Sequence, residues 1–314
     1  MRFTLRPYDP ARDLPDLAVI ESAINPLPTT VADLEEQELN RAPGEVMRKL
    51  VAEDDSGRLV AHGGAQRNPW DPEGSFNVWV MVLPEARGQG IGAALLREAV
   101  SFARENGGAR LVMYAREEDP RARPFAEWAG FKYERHQFES RLDLAGFDEG
   151  RFPGAIERVL QQGLRFTDLA AEGDTSEARY RLWELNRAAA ITVPGNDGTF
   201  PPFEEFSKFV FNARWFRPEG QILCLDGERY VGLGAVGHGD DGAVFNAFTG
   251  THPEYRNRGI AFALKLLGIR YARERGAAYF ITGNDSENGP MLHINRGKLG
   301  FVARPGLYRM AREF

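Results

Sequence analysis

Two short stretches carry residues whose types and spacing do chemistry: Arg87-Gly88-Gln89-Gly90-Ile91-Gly92 and Arg256-Asn257-Arg258-Gly259-Ile260-Ala261. Each follows a strand-like run and opens a long helical pattern. A glycine loop feeding a helix N-terminus presents unpaired backbone N–H groups and the positive end of the helix dipole, a setting for a phosphate or pyrophosphate. Glycines let such a ligand approach the backbone closely. A Walker-type loop needs Gly-Lys-Ser/Thr, which is absent. Residues 88–93 do satisfy the dinucleotide pattern Gly-x-Gly-x-x-Gly/Ala, but three features count against it. The first glycine becomes Asn257 in the second copy, a proline-containing segment separates strand from loop, and the unit falls behind a hairpin where a dinucleotide fold would begin with it. The plain alternative is a turn kept for helix-sheet packing, and its recurrence in matching context argues against that.

The elements that position these loops form a repeat. Residues 77–108 read as strand, loop and helix, and residues 246–276 repeat them 169 positions later, matching Asn77 with Asn246, Pro84 with Pro253, Arg87 with Arg256, Gly90 with Gly259 and Leu95 with Leu264. Ile91, Leu95, Phe102 and Ala103 form one apolar stripe; Ile260, Leu264, Leu267 and Tyr271 form its counterpart. Each half begins with a short strand, at residues 2–4 and 165–167. In the first half the periodicity then predicts helices over about 11–24 and 31–42 with a turn at residues 26–28, and hairpin strands over 47–53 and 58–65. The second half offers hairpin strands over 222–225 and 229–235. Strands over 111–114 and 279–282 follow the long helices, and a further helix leads to Gly130-Phe131 and Gly300-Phe301. The order implies an α/β fold of the α+β kind: two tandem domains, 1–150 and 151–314, each a mixed, mostly antiparallel twisted sheet with helices on both faces. The glycine- and proline-bearing stretch 143–163 is the expected linker.

Composition agrees. A chain of 314 residues suits two domains of roughly 150 each. No window approaches the ~18 unbroken apolar residues of a membrane helix, so no membrane partner is expected. A net charge of −6 and a pI near 5.6 argue against a nucleic-acid partner. The opening residues, MRFTLRPYDPARD, place charges and prolines where an export signal has its apolar run, so a cytoplasmic location is expected. The single cysteine, Cys224, suits a reducing compartment and reads as core filler. The five histidines lack zinc-helix spacing and cysteine partners, so no metal site is expected.

Both loops share Arg-x-x-Gly-x-Gly/Ala, and with the Val82-x-Pro84-x-x-Arg87 approach, the long helix, the next strand and the Gly-Phe pair, each half resembles the GCN5-related N-acetyltransferases in their tandem, two-domain form. The resemblance implies an acyl-CoA-dependent N-acyltransferase with acetyl-CoA as donor, in which a small-molecule or peptide amine attacks the thioester directly. It places the pyrophosphate on Gly88, Gln89, Gly90, Ile91 and Gly92 and on Asn257, Arg258, Gly259, Ile260 and Ala261, with Arg87 and Arg256 supporting the loops. The pantetheine arm would pair with Met81 and Val82, and with Gly250 and Thr251, as an extra strand does.

The sequence departs from the family at the thiolate acid, a tyrosine four residues before the Gly-Phe glycine. Ala126 and Arg296 stand there; reading Gly297 as a one-residue insertion moves Asn295 into the place. Tyr114 is either a substitute acid or an ordinary strand-end aromatic. Glu117 and Glu118 are either a base or a solvated acidic turn. In the second half, Asn284 and Asn288 are candidates to orient cofactor or acceptor, and Asp285, Glu287 and His293 to move a proton; turn chemistry and helix capping explain the same residues. Asn77 and Asn246 mark either a bulge or a ligand-facing side chain. The Asn-rich segment favours the C-terminal half as the catalytic one. A CoA-binding sensor or scaffold without chemistry is the competing reading. Trp70 and residues 194–198 would shape the acceptor pocket, and the chain is expected as a pseudo-dimeric monomer or a homodimer.

Overall fold

The computed structural model describes residues 2–25, 28–194, 196, 198–239 and 243–314. The turn expected at 26–28 and the acceptor-side segment 194–198 lie partly outside these residues.

Two compact units form, one from Met1–Glu134 with Tyr308–Phe314, the other from Arg135–Leu307. In chain order the elements are β1 (Phe3–Pro7), α1 (Pro10–Ile24), α2 (Val31–Leu39), β2 (Val46–Asp54), β3 (Leu59–Arg67), β4 (Ser75–Val82), α3 (Ile91–Glu105), β5 (Arg110–Arg116), α4 (Ala122–Trp128) and β6 (Lys132–Asp143). Then follow α5 (Glu157–Leu160), β7 (Arg165–Asp168), α6 (Ser176–Ala190), α7 (Phe203–Phe206), β8 (Gln221–Asp226), β9 (Arg229–His238), β10 (Val244–Thr251), α8 (Ile260–Glu274), β11 (Tyr279–Asp285), α9 (Gly289–Leu292) and β12 (Val302–Glu313). The helix, hairpin and strand expectations all find their elements, with ends moved by a few residues.

In unit 1 the strand order is β1-β2-β3-β4-β5, followed by the part of β12 that belongs to this unit. β1–β2, β2–β3 and β3–β4 pair antiparallel and β4–β5 parallel, as expected of a connection through the long α3. Leu96, Ala99 and Ala103 of α3 pack with Phe76 and Val78 of β4 and with Ala126 of α4. Unit 2 orders its strands β6-β11-β10-β9-β8-β7, with β10 and β11 parallel. Successive residues of β8 point to opposite faces. Leu223 and Leu225 therefore pack with Leu182 and Leu185 of α6, while Ile222 and Cys224 pack with Ile260, Leu264 and Ile269 of α8. Each fully buried Leu or Ile contributes about 1.5–3 kcal/mol. Cys224 is buried, and burial pushes its thiol up to about 12, which keeps it neutral core filler.

Candidate functional site

The two loops have the same backbone. Gly90 and Gly259, the residues before α3 and α8, sit at φ 84° and 85° with ψ −3° in both. Gly88 takes φ 78°, and its counterpart Asn257 takes φ 62°. Asparagine is the side chain that enters this left-handed region at least cost, so the exchange leaves the loop unchanged. Neither α3 nor α8 has a side-chain cap at its N-terminus, and a Cβ added at Gly88 or Gly90 would meet nothing within 4 Å. Open space and unclaimed helix N–H groups fit a pyrophosphate.

The arginines brace the loops from different anchors. Arg87 donates from Nε to the Val82 carbonyl at 3.0 Å and pairs with Asp119 at 3.0 Å. Arg256 donates to the Thr192 hydroxyl, and Arg258 lies over the Tyr255 ring. Met81 and Val82 are paired to His62 and Ala61 on one side, whereas Gly250 and Thr251 are paired to Leu233 and Gly232. The buried Thr251 Oγ1 has no hydrogen-bond partner among the described residues.

Both units are splayed beside the loops. The parallel ladder of β4 and β5 ends at Asn77 and Val112, although β4 runs on to Val82 and β5 to Arg116. That of β10 and β11 ends at Asn246 and Thr282, although the strands continue to Thr251 and Asp285. A strand edge without a ladder partner is open to an extended ligand.

The units differ at that splay. The β3–β4 register is unbroken from Ala61 to Gln66, whereas β9–β10 shifts between Asn246 and Phe248, leaving Ala247 as the extra residue of a β-bulge. Asn246 holds it: Nδ2 donates to the carbonyls of Ala235 and Phe248 at 2.9 and 2.5 Å, and Oδ1 accepts from Thr249 at 2.6 Å. The asparagine in β10 thus marks a bulge.

A buried polar stripe runs beside the bulge in unit 2. Asn284 donates to Ser140 Oγ at 2.9 Å, and Asn295 donates to Asn284 Oδ1 at 2.9 Å, leaving its own Oδ1 without a partner among the described residues. Lys265 of α8 donates to Thr282 Oγ1 at 3.0 Å. Ser140, Lys265, Thr282 and Asn295 are all buried. Asn295 lies in a π-helical turn, His293–Lys298, which follows α9 and accommodates the extra residue suspected at Gly297. The Phe301 N–H reaches the Asn295 carbonyl at 2.9 Å, as the Phe131 N–H reaches that of Ala126 at 3.0 Å. Asn295 and Ala126 therefore hold equivalent places.

The remaining sequence candidates lie apart from the stripe. Asp285 is ion-paired with Arg135 at 3.3 Å and accepts the Glu287 N–H, Asn288 caps α9, and His293 is exposed. In unit 1, Tyr114 is exposed on β5, and Glu117 accepts from the Tyr308 hydroxyl at 3.2 Å. Lys265 was missed, although its signal was present: at the repeat offset it stands opposite Leu96 inside an apolar run. On the α6 face, beside the second loop, lies a cavity of about 610 Å³ walled by Arg181, Arg187, Arg229 and His252 with Glu184 and Glu228. Among the described residues no cluster of His, Cys, Asp and Glu could hold a metal ion, and no helix is long and apolar enough to cross a membrane.

Tandem units, each with a splayed parallel strand pair and an uncapped glycine loop, define an acetyltransferase architecture. The sequence profile of the acetyltransferase (GNAT) family matches residues 16–131 and 182–301, and the chain belongs to that family, with two copies of its domain. It is similar to the mycothiol acetyltransferases of Rhodococcus opacus (strain B4), 28% identical over 268 residues covering 83% of this chain and 81% of the relative, and of Nocardia farcinica (strain IFM 10152), 29% identical over 264 residues covering 81% and 79%. The fold is also that of a GCN5-related N-acetyltransferase from Sphaerobacter thermophilus (TM-score 0.70, 17% identity, 99% of this chain and 95% of that one). A tandem GNAT protein from the clavulanic acid biosynthesis pathway shares it as well (TM-score 0.73, 19% identity, 99% and 98%). The protein is an acyl-CoA-dependent N-acetyltransferase. Its family generally uses acetyl-CoA, and the acceptor is an amine.

Proposed function

We propose that this chain transfers an acetyl group from acetyl-CoA to an amine in unit 2, and that unit 1 holds the cofactor without performing transfer. The bulge at Ala247 carries this reading. It lies where β10 parts from β11, and its extra residue is released from the ladder. A backbone N–H so released is a preorganised donor for the oxyanion of an attacked carbonyl. Unit 1 keeps its register at the corresponding place and has Ala126 where unit 2 has Asn295.

Acetyl-CoA supplies the acetyl thioester. The N–H groups at the start of α8 and α3 hold its pyrophosphate, Arg256 and Arg87 brace the loops, and Gly250 and Thr251 line the pantetheine path. His293, exposed at the head of the π-helical turn, is better placed to take the amine proton than Asp285, which is committed to Arg135. The Asn295 amide steadies a departing thiolate by hydrogen bonding, yet has no proton to give it. The mixed charges of the cavity beside the second loop suit a polar ligand.

One observation favours a second reading, a CoA-binding sensor: neither Ala126 nor Asn295 is an acid. Calorimetry with acetyl-CoA on wild type, Gly90→Trp and Gly259→Trp separates the two, combined with CoA release from an amine panel that begins with the mycothiol-directed transfer named for the relatives. We expect two sites, each lost with its own variant, and transfer lost only in Gly259→Trp. Binding without transfer to any amine would support the sensor, and no binding to acyl-CoA would overturn both readings.

A further inference from the structure

Lys265 is an anomaly in the core of unit 2. It is 2% exposed, and its ammonium meets one hydroxyl, Thr282 Oγ1 at 3.0 Å, and the Phe301 ring at 5.8 Å. Among the described residues no carboxylate compensates it: burial alone depresses its pKa, to about 7. A lysine buried without a counter-charge is costly, and the fold does not require one here.

Unit 1 makes that plain. Lys265 is the sixth residue of α8, Leu96 the sixth of α3, and the two helices start from glycines with the same φ and ψ. Thr282 closes the β10–β11 ladder opposite Asn246, and at the 169-residue offset it stands where unit 1 has Met113, which packs in one core with Leu96. The Lys265–Thr282 pair thus replaces Leu96 and Met113, both buried, at the base of the splay where the thioester bond is to be broken. The stripe also changes from an apolar to a polar one at Asn295, which replaces Ala126.

We infer that Lys265 supplies, through the Thr282 hydroxyl, the proton that the departing thiolate requires, and so performs the task for which Asn295 has no proton. The nitrogen–carbon bond to the acceptor amine forms as the carbon–sulfur bond breaks. Sulfur takes a proton from Thr282 Oγ1, Thr282 takes one from Lys265 Nζ, and once the thiol product has left, the proton the amine has released returns through Thr282 to recharge Lys265. Lys265 acts through Thr282 and is a positioning and proton-supplying residue. This rests on the assignment of transfer to unit 2.

Other ionisable groups on the elements around α8 leave Lys265 its own titration. β10 carries none; β11 carries Tyr279, exposed, and Asp285, paired with Arg135; β8 offers the neutral Cys224 thiol on this face. On β9, Arg229 pairs with Glu254, Tyr230 bonds Glu172, and His238 bonds Tyr271, which lies nearly two turns further along α8. On β6, Ser140 faces the stripe, and Glu139 points away from it. His293, Arg296 and Lys298 of the π-helical turn are exposed.

The test is Lys265→Met, with Thr282→Val, measured beside Gly259→Trp for transfer, thermal stability and the NMR titration of the Lys265 Cε resonance in the free protein. For wild type we expect kcat to fall with rising pH through a limb near pH 7, as the lysine loses its proton, and the Cε resonance to titrate there. In Lys265→Met we expect a higher Tm, unchanged KM for acetyl-CoA, kcat lowered about 100-fold and the alkaline limb gone. Thr282→Val should lower kcat similarly while leaving the lysine resonance present. A Lys265→Met protein that is folded and keeps both kcat and the limb, while Gly259→Trp is inactive, overturns the inference and leaves the unit 2 assignment standing. Full transfer in a folded Gly259→Trp protein overturns both.

Discussion

The Asn295 side chain donates to Asn284 Oδ1 at 2.9 Å, and that bond ties the π-helical turn to β11 at the centre of a buried polar stripe. Asn284 passes the connection on to Ser140 at 2.9 Å. Asn295→Ala strips Asn284 of a donor in a place with little water. We expect a stability loss of about 1–3 kcal/mol and a kcat lowered roughly tenfold or more, with KM for acetyl-CoA within about twofold. Denaturant unfolding and steady-state kinetics check both, and unchanged kcat would remove the stripe from the chemistry.

Asn257 offers a sharper test of the second loop. At φ 62° it does what Gly88 does at 78°. Asn257→Gly should leave acetyl-CoA affinity and stability nearly unchanged, whereas Asn257→Val should cost about 1–2 kcal/mol and weaken binding in unit 2 alone. Calorimetry on both variants decides it; equal behaviour of Gly and Val would mean that the loop relaxes away from this conformation when the ligand binds.

The sequence read well where local rules act alone. The offset that matched Arg87 with Arg256 found two loops whose backbones agree within a few degrees at Gly90 and Gly259, because a left-handed glycine before an uncapped helix is a local requirement. It read less well where tertiary context decides. Residues 135–143 and 308–314 are the ends of similar closing strands, yet strand patterns do not say which partner an edge will find, and the compact units divide the chain at Glu134 and Leu307. The bulge was one of two readings of Asn246, and only the register against β9 selects it. Gly297 hinted at the extra residue, and the π-helical turn is how the helix absorbs it. Lys265 escaped because a long side chain in an apolar run reads as a helix position like any other, until the matching Leu96 is set beside it.

Arg87 links the first loop to the strand before it and to Asp119 beyond β5, so Arg87→Ala removes two anchors at once. The pair is partly exposed, and its removal should cost no more than about 1 kcal/mol of stability. Acetyl-CoA affinity in unit 1 should fall several-fold, with transfer in unit 2 unaffected. A comparable loss of transfer would show that unit 1 contributes to the reaction.

His62 sets an acid limit on unit 1. The ring is 1% exposed; Trp79 Nε1 donates to Nδ1 at 3.3 Å, which places the ring proton on Nε2, 3.5 Å from Glu21 Oε1. Desolvation, then the charge of Lys49, pushes the imidazole pKa down to about 3 from 6.5, and desolvation likewise raises Glu21. The sign follows from proton counting. Below pH 6.5 the unfolded chain binds a proton that the folded one refuses, so stability is lost as pH falls from 6.5 towards 3, by about 2 kcal/mol at pH 5. His62→Gln keeps an acceptor for Trp79 and does not titrate. Its stability should sit slightly below wild type at pH 8 and fall less steeply in acid, so that the two curves converge or cross by about pH 5. Thermal unfolding across that range measures the difference directly, and because Glu21 and the other carboxylates are common to both proteins, parallel curves would mean that His62 takes up its proton in the folded state after all.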